Sequence, residues 1–170
     1  MTELLTDRLE LRRWREQDLD AYAAIVAKPD VSRYLGTGQV LDRAAAWRQM
    51  ALLVGHRELR GFTQSAVLER DTGRLVGRGG IWQPEGWPGL EIGWVLDPGV
   101  WGRGYASELG RASRDHAFHV LGARHVISVI QPENAASIRV AVAIGSTLEG
   151  EQEVGGVSCL IYGQSGPRSR

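Results

Sequence analysis

The sequence predicts an α/β (α+β) fold built on a mixed, mostly antiparallel sheet flanked by helices. Three observations carry this. Strand signals cluster as hairpins in the middle and at the end of the chain. Residues 90–96, LEIGWVL, are apolar on both faces and so belong in the sheet interior. A helical stretch and then a β-branched strand follow them, which makes one strand-helix-strand crossover.

The elements follow in order. In residues 7–14, DRLELRRW, Leu9 and Leu11 alternate with polar neighbours as in a strand. Residues 18–27 read as a short helix ended by Lys28-Pro29. Residues 41–59 read as a second helix, with Asp42 as N-cap and Gly61 beyond its end. Residues 62–69 and 75–82 are strands joined by the turn Asp71-Thr72-Gly73-Arg74. The longer turn QPEGWPG leads into the strand at 90–96. Residues 104–121 form a helix, 125–130 a strand, and 134–144 a helix with Asn134 at its start and Gly145 at its end. Strands at 146–154 and 157–163 close the order β-α-α-β-β-β-α-β-α-β-β.

A chain of 170 residues suits one domain, 1–170, with 163–170 reading as a flexible tail. Twenty Lys and Arg balance twenty Asp and Glu, so no basic excess points to nucleic acid. The longest apolar run, 21–27, is far short of a membrane span, and the charged start MTELLTDRLELRR lacks a signal-peptide core. The single cysteine, Cys159, excludes an intrachain disulfide and a cysteine-based zinc site. A cytoplasmic setting with no membrane partner is therefore expected. His116 and His119 lie three apart on a helix, but no third ligand is spaced to join them, so no metal is expected. No Gly-x-Ser-x-Gly elbow is present. Arg12, Arg13 and Arg15 read as a solvated strand end.

The most informative stretch is GLEIGWVLDPGVWGRGYASE, residues 89–108. A buried strand ends at Asp97-Pro98, a tight loop follows, and a helix opens at Gly102-Arg103-Gly104-Tyr105-Ala106. Glycines at 102 and 104 leave the loop amides uncovered, and the helix dipole adds to their field. Such a turn suits a phosphate or diphosphate. The spacing is neither the Rossmann GxGxxG nor a P-loop. The alternative reading is a glycine turn that only packs tightly.

The segment resembles the cofactor-binding motif of the GNAT superfamily of acetyl-CoA-dependent N-acetyltransferases, Arg/Gln-x-x-Gly-x-Gly/Ala. Trp101, Gly104 and Ala106 occupy its three key positions, with Trp101 in place of Arg or Gln. EIGWVLDPGVWGRGYASE, TDRLELRRWREQD and PENAASIRVAVAIG are each similar to the branch that acetylates the N-termini of ribosomal proteins. The resemblance implies a six- to seven-stranded GNAT sheet with splayed central strands, and acetyl-CoA as co-substrate. It implies that the backbone of Trp94, Val95 and Leu96 pairs with the pantetheine arm, Gly93 marking a bulge at the start of the splay. Amides from Gly102, Arg103, Gly104, Tyr105, Ala106 and Ser107 hold the diphosphate, with Arg103 adding charge. Asn134 lies beside the pantetheine and Ser137 near the sulfur. Trp82 and Trp87 read first as packing residues, but the resemblance implies that they and the region of Tyr34 and Leu35 line the acceptor cleft, and homodimers are common in this branch.

Acetyl transfer to an amine needs a base, an oxyanion donor and a proton for the thiolate. Glu91 stands in an apolar run two residues before Gly93, where burial raises a carboxylate's pKa, and is the candidate base. Its alternatives are an ion pair with Arg or exposure at the strand start. By family analogy the Val95 amide is the oxyanion donor. The Tyr that many family members place seven residues after the Asn is Ala141 here, which leaves Ser137 as proton donor, or as a hydroxyl that only caps or binds. Gly145 is followed by Ser146 instead of the family's Phe. The expected activity is acetyl transfer to a primary amine, a small molecule or a peptide or protein N-terminus, by direct attack in a ternary complex. The alternatives are a non-catalytic acyl-CoA-binding regulatory module and a nucleotide-phosphate binder.

Overall fold

In the computed structural model, which describes residues 2–167, Leu9 and Leu11 are buried on β2 (Leu9–Arg12) as their alternation requires. An additional edge strand, β1 (Thr2–Leu5), pairs antiparallel with β2. It is too short to show a period. Arg12 is not a solvated strand end. It is buried and bidentate to the buried Asp18 at 2.7 and 2.8 Å. The Asp18 hydrogen bond holds the guanidinium charged, with its pKa raised, and ties β2 to the start of α1 (Leu19–Val26).

Pro29 opens a further helical turn, α2 (Pro29–Ser32), as its fixed φ suits a first helical position. In α3 (Arg43–Arg60), Asp42 Oδ1 accepts from Ala45 N at 2.7 Å and Gly61 takes the left-handed φ of 81° that ends it. The remaining elements are β3 (Gln64–Glu69), β4 (Leu75–Trp82), β5 (Glu91–Leu96), α4 (Tyr105–His119), β6 (His125–Ile130), α5 (Ala135–Ala143), β7 (Thr147–Val154) and β8 (Val157–Ser165). The tail expected from 163 is corrected. Gly163 to Ser165 complete β8, Gly166 N donates to Arg124 O at 2.9 Å, and 168–170 lie outside the described residues.

The sheet has eight strands, one more than the upper expectation, in the order β1-β2-β3-β4-β5-β6-β8-β7. Only β5 and β6 run parallel. On one face α1 and α3 bury Trp14, Tyr22, Met50 and Leu53 against Ala66 and Leu68. On the other, α4 buries Tyr105 and Leu109 against Leu9, Leu11, Val76 and Leu96. Each such side chain contributes about 1.5–3 kcal/mol when fully buried. Among the described residues no helix is long and apolar enough to cross a membrane.

The parallel pair carries the feature that matters for function. β5 and β6 are in register only at Glu91 and Ile127, where Ile127 N donates to Leu90 O at 2.9 Å. Beyond that point the Ile92 carbonyl accepts from the Ser128 hydroxyl at 2.7 Å instead of from a strand neighbour. The two strands have parted.

Candidate active site

The pairing of β5 with β4 decides which backbone groups face the opening. It runs from Gly77 opposite Leu96 to Trp82 opposite Glu91 without a register shift, so the expected bulge at Gly93 is absent. Asp97 N donates to Val76 O at 2.8 Å. The two-residue alternation of an antiparallel ladder then turns Val95 and Gly93 toward β4, and Ile92, Trp94 and Leu96 toward the opened side. The Ser128 bond to Ile92 O and the Trp101 indole bond to Leu96 O, at 2.8 Å, agree with this. The oxyanion role and the pantetheine pairing expected at the Val95 backbone are therefore both corrected, since its N–H and C=O are engaged by β4. The Val95 side chain is buried with Ile25 and Val31, beside Leu35.

The loop after β5 is built as the glycines require. Asp97 Oδ1 accepts from Gly99 N at 2.7 Å, and Lys28 pairs with Asp97 Oδ2. Gly102 and Gly104 have φ of 74° and 80°, a region that L side chains avoid. The first bond of α4 runs from Glu108 N to Gly104 O at 3.1 Å, which leaves the N–H groups of Tyr105, Ala106 and Ser107 outside the helical ladder. With Gly102 and Arg103 they form a row of N–H groups at the positive end of a fifteen-residue helix. These groups fit a diphosphate.

The Arg103 side chain turns elsewhere. Its guanidinium pairs with buried Glu69 at 2.7 Å and stacks on Tyr105, 4.8 Å from the ring centroid. Glu69 also accepts from the Tyr105 hydroxyl at 3.0 Å and from Arg74 at 3.2 Å. Burial alone would raise the Glu69 pKa, and the Tyr105 hydroxyl, Arg74 and the Thr72 hydroxyl bring it below the usual range. Arg8 bonds the Arg103 carbonyl at 2.8 Å and Glu108 at 2.7 Å, so the loop is braced from the turn before β2.

Glu91 is buried at the point where the strands part. Its Oε2 accepts from Trp87 Nε1 at 2.8 Å. Burial pushes its pKa up to about 7, against the lowering effects of Trp87, the charge of Arg78 and the Val129 backbone N–H. Val129 lies on β6 beyond the last paired residue, so the carboxylate takes a donor that a continuous ladder would have used. Neither alternative reading holds, because among the described residues no Arg pairs with Glu91 and the side chain is buried.

The other candidates meet across the gap. Asn134 caps α5, its Oδ1 accepting from Ser137 N at 3.1 Å. The Ser137 hydroxyl accepts from Trp94 Nε1 at 3.3 Å. Trp94 packs on the α4 and α5 face and Glu91 lies on the α1 and α3 face, so base and hydroxyl approach one opening from opposite sides. Ala141 is fully buried with Ile130 and Tyr162. Ser146 is buried, and its hydroxyl accepts from Gln164 at 2.9 Å. The sequence reading missed Ser128, Val129, Arg78 and Gln64. Only the hydroxyl in the β-branched run of β6 offered a signal.

The chain is similar to known acetyltransferases in sequence and in fold. The family profile described as acetyltransferase (GNAT) domain matches residues 8–147. YkkB of Bacillus subtilis is 32% identical over 149 residues, 85% of this chain and 84% of that protein. The uncharacterized N-acetyltransferase p20 of Bacillus licheniformis is 28% identical, over 88% and 85% of the two chains. An acetyltransferase from Agrobacterium tumefaciens is 31% identical and superposes with a TM-score of 0.84, covering 96% and 94% of the two chains. RimL, a ribosomal L7/L12 α-N-protein acetyltransferase solved with coenzyme A, shares the fold at 21% identity and a TM-score of 0.80, over 96% and 98%. The chain belongs to the acetyltransferase (GNAT) domain family and is an N-acetyltransferase by that membership.

Proposed function

We propose that this protein transfers the acetyl group of acetyl-CoA to a primary amine by direct attack in a ternary complex. The loop amides of 102–107 hold the diphosphate. The pantetheine arm lies along the opened side of β5, against the backbone of Trp94 and Leu96, in the manner of an added strand. The Trp94 N–H, turned to the gap, donates to the thioester oxygen as it gains charge. Asn134 stands beside the arm.

The amine attacks from the Glu91 side, and Glu91 takes its proton directly or through water. The C–N bond forms, the C–S bond breaks, and the thiolate accepts a proton from the Ser137 hydroxyl, which recovers it from solvent. No covalent enzyme intermediate is needed. The observation that carries this reading is a carboxylate buried at the mouth of the β5–β6 opening, its pKa pushed up to about 7 by burial, one strand length from the glycine loop. Neutral-pH proton abstraction from an ammonium calls for such a base.

Coenzyme A is bound by the structural neighbour RimL, and RimL and a ribosomal-protein-S5-alanine acetyltransferase of Vibrio fischeri are named for protein acceptors. Peptide N-termini therefore belong in the acceptor panel with small amines. Mixing the protein, acetyl-CoA and that panel should release free thiol with at least one amine. Tight coenzyme A binding with no thiol release from any amine would instead favour a non-catalytic acyl-CoA-binding module. The alanine at 141 is the observation on that side.

A further inference from the structure

The β3–β4–β5 register places an unusual row on the α1 and α3 face. Arg78 stands opposite Val95, Gly80 opposite Gly93, and Trp82 opposite Glu91, with Gln64 of β3 opposite Gly80. Two glycines facing one another leave the sheet bare between Arg78 and Glu91. The Gln64 side chain lies across that floor. A Cβ on Gly93 would collide with its amide nitrogen and would stand 3.3 Å from Glu91 Oε1.

Two polar groups on this row lack the partner their chemistry asks for. Gln64 is only 4% exposed, yet among the described residues its Oε1 accepts from no donor. A buried amide oxygen left so costs free energy that an incoming N–H would recover. Arg78 is half-buried, and its Nε donates to the Tyr22 hydroxyl at 2.9 Å, which fixes the stem. Tyr22 is held in turn by Gln49. Among the described residues no carboxylate stands within ion-pair distance of the Arg78 guanidinium. A fixed cation near the base disfavours any acceptor that brings only positive charge, unless the acceptor carries an anion to meet it.

We propose that the acceptor is a primary amine that bears a carboxylate, an amino acid or a close analogue, with its nitrogen between Gln64 and Glu91 and its carboxylate on Arg78. The proposal rests on the acetyl-transfer reading for the role of the nitrogen, and the test separates the two. Thiol release from acetyl-CoA is measured with an apolar amino acid, its amide, and the alkylamine that lacks the carboxyl group. Binding of the same three compounds to the coenzyme A-saturated protein is measured by calorimetry.

The acid should exceed the amide and the alkylamine by at least about tenfold in kcat/KM. In Arg78→Gln that ratio should fall to about one, and Arg78→Lys should keep part of it. The ratio is an internal comparison, so a general loss of activity does not imitate the effect. Equal use of all three compounds, or a ratio that survives in Arg78→Gln, would overturn the proposal while leaving acetyl transfer standing. No thiol release from any of them, with binding that still depends on the carboxyl group and on Arg78, would support the carboxylate site and remove the transfer reading.

Discussion

The Trp87 indole donates to Glu91 Oε2 at 2.8 Å, which ties the 83–89 loop to the strand that opens beside it. The bond favours the ionised carboxylate, burial favours the neutral one, and burial prevails. Removing the indole donor therefore moves the titration further up. In Trp87→Phe the acid limb of the pH–rate profile should shift to higher pH with the plateau retained, as followed by thiol release between pH 5.5 and 9.

Glu91→Gln removes the base altogether. Turnover should fall by about 10²–10⁴-fold, and the limb near pH 7 should vanish. Coenzyme A affinity, measured by calorimetry, should stay close to that of the parent protein because the diphosphate loop is untouched. Unchanged turnover across the pH range would remove Glu91 from the mechanism.

The same residue weighs on stability, and the sign follows from its titration. Its pKa is raised in the fold from 4.5 to about 7, so the folded state holds a proton that the unfolded state releases. Stability from this group is fully present below about 4.5 and is lost as pH rises through about 7. Glu91→Gln carries no such proton. Relative to the parent, it should gain on the order of 3 kcal/mol between pH 4 and pH 8, since each pKa unit is worth about 1.36 kcal/mol. Urea unfolding at the two pH values reads the difference.

Gly102 and Gly104 hold the loop in a backbone region that costs other residues about 1–2 kcal/mol each. A Cβ on Gly102 would meet nothing within 4 Å, so Gly102→Ala isolates the conformational cost. It should lower the unfolding midpoint by a few degrees and weaken coenzyme A binding by about tenfold or more. In the parent, coenzyme A should raise that midpoint while ATP and NAD leave it in place.

Ser137→Ala leaves the cap on α5 intact, because the bond to Asn134 runs through the backbone N–H of residue 137. It should reduce kcat by about 10²-fold with little change in KM for acetyl-CoA. Asn134→Ala removes the cap itself and should cost about 1 kcal/mol of stability. Single-turnover kinetics and thermal unfolding separate the two effects.

Local chemistry was legible in the sequence wherever the cause was itself local. Asp42 and Gly61 bound α3, the Asp71–Arg74 turn joins β3 to β4, and an acid inside LEIGWVL is buried. The partners of those groups were not legible, because they come from strands far apart in the chain. Whether residue 94 or 95 offers its N–H to the gap depends on the ladder with β4, not on composition. Arg103 reads as a phosphate ligand until β3 brings Glu69 beneath it. Arg12 reads as solvated until Asp18 folds onto it. The row of Gln64, Gly80 and Gly93 spans three strands, and no window of the sequence contains it.

Where coenzyme A sits decides whether the β5–β6 gap is the active site. A crystal structure of the complex should place the diphosphate on the N–H groups of 102–107 and the pantetheine arm between β5 and β6, with its sulfur near Ser137. A diphosphate bound elsewhere, or a closed β5–β6 gap at saturating ligand, would contradict that placement.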